Sequence, residues 1–274
     1  MPLIDEIPQE IREAWPSNID YFADLQDRLT GPHPIPLMPF VGAGLSMPMG
    51  FPSWTRFLQD LARECGLSAE IATLLANGQY DEAADRIEQG LSPILFNRRF
   101  THTFGNWKSE ACALRGPVLA LPHLAAGAVV TTNFDRILER VFAGAGAPFK
   151  HVAWGSQVDQ IRRAVTENQP FLVKLHGDAE ERTNRVLTKR EYDTHFAPGN
   201  PEGLRAQLRR VFQGRTLLFV GCSLGVDRPM DILLEIMKQA SGVEHYAIVE
   251  KPALDPEFFE PIAEKIFRSG KVRD

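Results

Sequence analysis

Cysteine is scarce in this sequence. Cys65, Cys112 and Cys222 are the only three, and no two of them stand in a C-x-x-C pair. That spacing argues against a disulfide framework and a structural zinc site, because tetrahedral zinc usually takes its ligands in close local pairs. Buried thiols are the expected reading. Positive charge is not in excess either. Against 35 Asp and Glu stand 30 Lys and Arg, a formal charge of −5, which offers no electrostatic footprint for nucleic acid. Arg98-Arg99 and Arg209-Arg210 therefore read as solvated helix faces. No apolar run reaches the roughly 18 residues of a membrane span. The opening residues, with Asp5 and Glu6, lack the basic start and apolar core of a signal peptide. No membrane association and a cytoplasmic location are expected.

The 274 residues are enough for one large domain, or one domain carrying an inserted module. The stretch that organises them is Leu37 to Gly50, LMPFVGAGLSMPMG. A short apolar run ends in Gly42-Ala43-Gly44, then Ser46, and an amphipathic helix begins near Trp54. Strand, glycine loop and helix together can cradle a phosphate: glycines bring amide N–H groups close to an anion, and a helix N-terminus adds partial positive charge. Glycines at a strand end can equally serve a tight turn.

Before this stretch, Ile7, Ile11 and Trp15, then Phe22, Leu25 and Leu29, recur at helical spacing, and Pro32, Pro34 and Pro36 end the pattern. Residues 1–36 read as an N-terminal helical cap. After it, residues 68–123 contain no convincing strand. Helices are expected over 69–76, 80–89, 92–103 and 117–124, with Ser68 and Ser92 as N-caps and breaks near Gly78, Gly90 and Gly116. This all-helical stretch, about 66–125, reads as an insertion between the first two strands. It also disfavours a standard nicotinamide dehydrogenase, whose G-x-G-x-x-G is followed by a second strand within about thirty residues. Here the third glycine position is Met47.

Further strands are expected at 128–132, 151–154, 171–175, 216–220 and 246–249, with helices at 136–142, 157–165, 189–196, 202–212, 230–239 and 255–267. Polar and small residues gather at the carboxyl ends of the strands, where open α/β sheets place ligands. They are Asn133 and Asp135 after the second strand, His176-Gly177-Asp178 after Phe171–Leu175, and Gly221-Cys222-Ser223-Leu224-Gly225 after Thr216–Val220. Helix capping is the alternative reading of Asp135. Tyr192, His195 and Phe196 read as an aromatic packing edge.

The ordered set GAG-x-S, TTNFD, HG and GCSLG, covering Pro39 to about Glu250, resembles the sirtuin (silent information regulator) family. The resemblance implies a Rossmann-like parallel β-sheet flanked by helices, with an inserted all-helical module and NAD as ligand. It implies that Gly42, Ala43, Gly44 and Ser46 hold the NAD phosphates and that Asn133 and Asp135 address the nicotinamide ribose and carboxamide. His176 would be the catalytic base, and Gly221 with Ser223 would support the nucleotide. Two departures matter. Deacylase sirtuins carry a zinc ribbon of two C-x-x-C pairs after the H-G, absent here, and follow the glycine loop with G-I-P-D-F-R where this chain has Gly50-Phe51-Pro52-Ser53-Trp54-Thr55.

The pattern is most similar to the sirtuin-like domains of bacterial anti-phage defence systems, such as the Thoeris effector, which hydrolyse NAD. The implied activity is an NAD glycohydrolase working without a metal, with Asn133 and His176 catalytic. A histidine near its ordinary pKa of about 6.5 would suit general-base work. A protein deacylase and a silent NAD-binding sensor are the alternatives. A homo-oligomer, or assembly with a sensor domain or subunit, is the implied partner, with residues 37–268 the NAD-binding domain and 269–274 a tail leading to a further strand or domain.

Overall fold

The computed structural model describes residues 9, 18–32, 37–125, 127–197, 199–200, 202–222, 224, 232–236 and 244–248. The first part of the N-terminal cap, the helix expected at 255–267, the tail 269–274 and Ser223 lie outside them.

The architecture is α/β: a six-stranded sheet, every strand parallel, flanked by helices. In chain order come α1 (Asn18–Thr30), β1 (Leu37–Val41), α2 (Trp54–Glu64), α3 (Ser68–Ala76), α4 (Tyr80–Leu91), α5 (Pro93–Phe104), α6 (Asn106–Ala111), α7 (Leu121–Leu124) and β2 (Ala128–Thr131). There follow α8 (Ile137–Gly144), β3 (His151–Trp154), α9 (Val158–Thr166), β4 (Phe171–Lys174), α10 (Lys189–His195), α11 (Leu204–Phe212), β5 (Thr216–Val220) and β6 (Tyr246–Ile248). The spatial order is β3-β4-β2-β1-β5-β6, so the direction of winding reverses between β1 and β5. That switch point is where an open α/β sheet leaves a ligand crevice.

The four inner strands β1, β2, β4 and β5 are near-continuous apolar runs because both of their faces are covered. Alternate residues feed two cores. Leu37, Val41, Val129, Leu172, Leu218 and Val220 join one cluster with the helices inserted between β1 and β2. Met38, Phe40, Val130, Val173, Leu217 and Phe219 join the other, with α9, α10 and α11. Phe40 and Phe219 are register partners, with ring centroids 5.0 Å apart. Pro39 is tolerated within β1 because strand residues alternate sides. Val41 presents its carbonyl to Thr132, so Pro39 faces the same way, toward β2, whose pairing with β1 begins only at Phe40↔Val130. Its missing N–H falls in the gap between the Leu37↔Ala125 bridge and that pairing, where the ladder is interrupted.

The segment between β1 and β2 is helical, and its aromatic residues form one stack. Phe57, Phe100 and Phe104 meet one another, and Phe100 and Phe104 also meet Phe134, three residues beyond β2, whose ring centroid lies 4.7 Å from that of Phe100. Two expectations change here. Ser68 is the first residue of α3 rather than its N-cap; Leu67 occupies that position with no side-chain cap. The helix expected to break near Gly90 continues to Leu91, and the break falls at Ser92, with φ +79° and Pro93 following. Ser92 does cap α5, accepting from the Leu95 amide.

Candidate active site

Register brings the strand-end residues together. Val41 pairs with Thr131 on one side and Val220 on the other, so Gly42 and Gly221 each lie one residue beyond a paired position. Thr131 pairs with Lys174, so Asn133 and His176 each lie two residues beyond theirs.

The two glycine loops touch backbone to backbone. The Gly42 amide donates to the Val220 carbonyl and the Gly44 amide to that of Gly221, both at 2.9 Å. A Cβ on Gly42 would stand 2.4 Å from the Gly221 carbonyl oxygen, and one on Gly221, whose φ is +66°, would stand 2.8 Å from the Leu45 nitrogen. Glycine is required at both positions so that the loops can meet. The Leu45 and Ser46 amides are turned inward as well, to Gly42 and Ala43. Of the five amides from Gly42 to Ser46, only that of Ala43 lacks a backbone acceptor among the described residues.

Asn133 is buried and closes this loop from the β2 side. Its Nδ2 donates to the Gly42 carbonyl at 3.1 Å and to Ser46 Oγ at 3.0 Å, and its own amide donates to Thr131 Oγ1 at 3.0 Å. The Ser46 hydroxyl in turn donates to the Asp135 carboxylate, which also accepts from the Ile137 amide at 3.0 Å. Asp135 thus braces the entry to α8 and holds Ser46 at once. Burial keeps its carboxyl above the ordinary aspartate range, against the opposing pull of Lys174 and these hydrogen bonds.

Lys174, the last residue of β4, is fully buried, and nothing in the sequence singled it out. Its ammonium donates to the Phe134 and Asp135 carbonyls at 3.0 and 2.9 Å, to Asp178 Oδ2 at 2.9 Å and to Glu139 Oε1 at 3.3 Å. Burial would discharge it, but Glu139 and Asp178 outweigh that and raise its pKa. Asp178, despite its own burial, is held below the usual range by Lys174. Arg136 adds a second cation on Asp178 at 3.2 Å. One ammonium therefore ties the loop carrying Asn133 and Asp135 to the loop carrying His176.

His176 keeps some exposure. Its ring lies 5.8 Å from that of Phe134, and its Nε2 is 2.7 Å from the Tyr192 hydroxyl. A hydrogen bond to the Thr132 backbone favours its protonated form, but burial prevails and lowers its pKa to about 4. The expectation of an ordinary imidazole pKa is corrected on this point: His176 is a neutral ring at cellular pH.

No group of three or more His, Cys, Asp or Glu among the described residues is arranged to hold a metal ion. No helix among them is long and apolar enough to cross a membrane.

A parallel sheet whose glycine-bearing strand ends meet at the switch point, beside a buried amide, a carboxylate and an imidazole, is an open α/β fold with its polar residues gathered where such sheets leave a crevice. Residues 127–267 match the SIR2-like domain, and the chain belongs to that family. It is similar to the NAD(+) hydrolase ThsA of Bacillus cereus (strain MSX-D12), 26% identical over 227 residues that cover 81% of this chain and 44% of the relative. The NAD(+) hydrolase ThsA of Enterococcus faecium is 26% identical over 219 residues, covering 77% of this chain and 42% of the relative. The protein of that name from Cytobacillus dafuensis is 27% identical over 216 residues, 77% and 40%. The chain thus spans less than half the length of each of these relatives.

Proposed function

We propose that this chain binds NAD across the strand ends of β1, β2, β4 and β5 and hydrolyses the nicotinamide–ribose bond, releasing nicotinamide and ADP-ribose. The observation that carries the reading is the register that sets Asn133 and His176 at equivalent positions beyond Thr131↔Lys174, beside the joined glycine loops, in a chain similar to NAD(+) hydrolases.

Cleaving that bond leaves an oxocarbenium-like ribose carbon that water must capture, so the site has to hold the ribose and orient one water. Asn133 presents Oδ1, to which no described residue donates, as the acceptor for that water or a ribose hydroxyl. His176, neutral at cellular pH, is the base. The Ala43 amide, Gly42, Gly44 and Ser46 take the phosphate side, with Gly221 and Ser223 supporting the nucleotide. Asp135 addresses the carboxamide end through Ser46, whose hydroxyl it holds. As the resemblance of the motifs implies, the product of this chemistry is NAD depletion in bacterial anti-phage defence, by an oligomer or an assembly with a sensor.

The test is to incubate the pure protein with NAD and follow nicotinamide and ADP-ribose by chromatography. Release that is lost in Asn133→Ala and in His176→Ala is expected. No release at any protein concentration, or unchanged release in both variants, overturns the reading.

A second reading, an NAD-binding module without turnover, is favoured by one observation: the Asn133 amide protons and the His176 ring are already engaged by protein groups. It predicts a thermal shift with NAD and no product.

A further inference from the structure

We propose that Arg185 is a positioning residue for His176: buried between the inserted helices and the turn that carries His176, it sets where the imidazole stands without touching substrate. The inference rests on the reading of His176 as base. Arg185 belongs to none of the strand-end motifs and is 3% exposed. Its main chain is seated on Gly177, where a Cβ would stand 2.9 Å from the Arg185 Cα and 3.0 Å from its Cγ. The next residue, Val186, donates its amide to the His176 carbonyl at 3.1 Å.

The side chain leaves that turn and enters the helical module. Nη1 donates to Asn97 Oδ1 at 2.7 Å, and the guanidinium carbon lies 4.5 Å from the centroid of the Phe100 ring. Asn97 and Phe100 both belong to α5. One helical turn beyond Asn97, Thr101 Oγ1 donates to the Ala179 carbonyl at 3.1 Å, so the segment after His176 is tied to one helix at both ends. Phe100 meets Phe134 with ring centroids 4.7 Å apart, and the Phe134 ring is stacked on that of His176 at 5.8 Å. The contacts thus close a circuit, from His176 through Gly177, Arg185, Phe100 and Phe134 back to the His176 ring.

Stability alone does not call for an arginine here. None of the described carboxylates forms an ion pair with the guanidinium, and its Nε is buried with no acceptor. Glu88 and Glu191 favour the charge from farther off, yet burial prevails and holds its pKa below the ordinary arginine value. A buried cation matched so incompletely opposes folding. Methionine would reach as far and pack well on the Phe100 ring without that penalty. What the guanidinium adds is direction, because a planar group stacked on one ring and hydrogen-bonded at one corner is held in place as a flexible thioether is not.

Arg185→Met keeps the reach and removes the charge and the donor. Three quantities are measured beside the wild type: the urea unfolding midpoint, steady-state nicotinamide release, and the 1H resonances of the His176 ring in the ligand-free protein, assigned with His176→Gln. Those protons feel the ring current of Phe134 and report its placement. The expected result is a midpoint equal to or above that of the wild type, moved His176 resonances, and a kcat lower by about 10- to 100-fold with KM little changed. Asn97→Ala cuts the same link from the helix side, so the double variant should lose no more than the larger of the two single losses. A lower midpoint or a failure of Arg185→Met to fold overturns the proposal, because it makes Arg185 an ordinary packing residue. Unmoved His176 resonances, an unchanged kcat, a loss confined to KM, or additive losses in the double variant overturn it too. If the wild type releases no nicotinamide, the NAD reading fails by itself, and the midpoint and the His176 resonances still decide whether Arg185 places the ring.

Discussion

Asn133 and Gly42 are separated by 91 residues of chain, and the Asn133 side-chain amide donates to the Gly42 carbonyl at 3.1 Å. That bond makes the glycine loop and the β2 loop one unit. The same nitrogen reaches Ser46 Oγ, and Ser46 reaches Asp135, so three loop residues stand in a chain of donors and acceptors with little freedom to rearrange. Asn133→Ala is therefore expected to do more than remove a contact with substrate. Nicotinamide release should fall by about 100- to 1,000-fold, the cost of deleting one preorganised polar group. The thermal midpoint should also drop, because the buried Gly42 carbonyl loses one of its two donors, keeping only the Leu45 amide. Chromatographic assay and a melting curve on the same preparation check both parts.

The meeting of the two glycine loops leads to a second expectation. Gly221→Ala puts a methyl group 2.8 Å from the Leu45 nitrogen and 3.2 Å from the Gly42 carbonyl oxygen, at a φ of +66° that side chains rarely adopt. Backbone on the far side cannot turn away as a flexible side chain could. A destabilisation of about 1–3 kcal/mol follows from the strained φ alone, and NAD should bind more weakly because the loops are forced apart. Denaturant unfolding and a ligand-induced thermal shift measure the two effects. Gly146, with a φ of +75° and open space around it, is the control: the same substitution there meets no atom within 4 Å and should leave NAD binding intact.

Lys174 gives a third. Lys174→Met preserves length and apolar volume but leaves Asp178, Glu139 and the carbonyls of Phe134 and Asp135 without their shared donor. Removing one partner from a buried ionic cluster costs about 3–5 kcal/mol, so this variant should be the least stable of the set. Urea unfolding decides it. An effect under 1 kcal/mol would mean that the cluster is wetter than its burial implies.

The strands and the inserted helices were legible because they obey local rules. Runs such as Thr216–Val220 are buried on both faces and read as uninterrupted apolar segments, and the absence of any such run between residues 68 and 123 foretold helix. The strand-end residues were legible as well, since Asn133, His176 and the two glycine loops break apolar runs at equivalent places. What stayed hidden is tertiary. Lys174 closes an apolar run and looks like an ordinary strand-end lysine; only its partners, two of them backbone carbonyls, make it the tie between loops. The Tyr192 hydroxyl meets His176 across sixteen residues of chain, and no spacing in the sequence encodes that approach. The His176 pKa was misjudged for the same reason, because burial belongs to the fold rather than to the residue.

The last prediction concerns pH. Burial lowers His176 to about 4 from an ordinary 6.5, and His245, whose Nδ1 accepts from the Leu217 amide at 3.1 Å, to about 4 as well. Below pH 6.5 the unfolded chain takes up protons on these rings while the folded chain does not. Each histidine therefore withdraws stability as pH falls from about 6.5 to about 4, by an amount on the order of 1–3 kcal/mol. Asp135 and Glu139, held above the carboxylate range mainly by burial, act in the opposite sense, since they bind protons more readily in the fold. The two effects separate in His176→Gln. Its stability, measured by urea unfolding between pH 7 and 4.5, should fall less steeply than that of the wild type, and the difference is the share belonging to His176. The same low pKa sets the acid limb of kcat/KM for NAD, which should stay flat well below pH 6 and bend near 4. A bend near 6.5 would show that the imidazole titrates as an exposed ring and that the packing around it opens in solution.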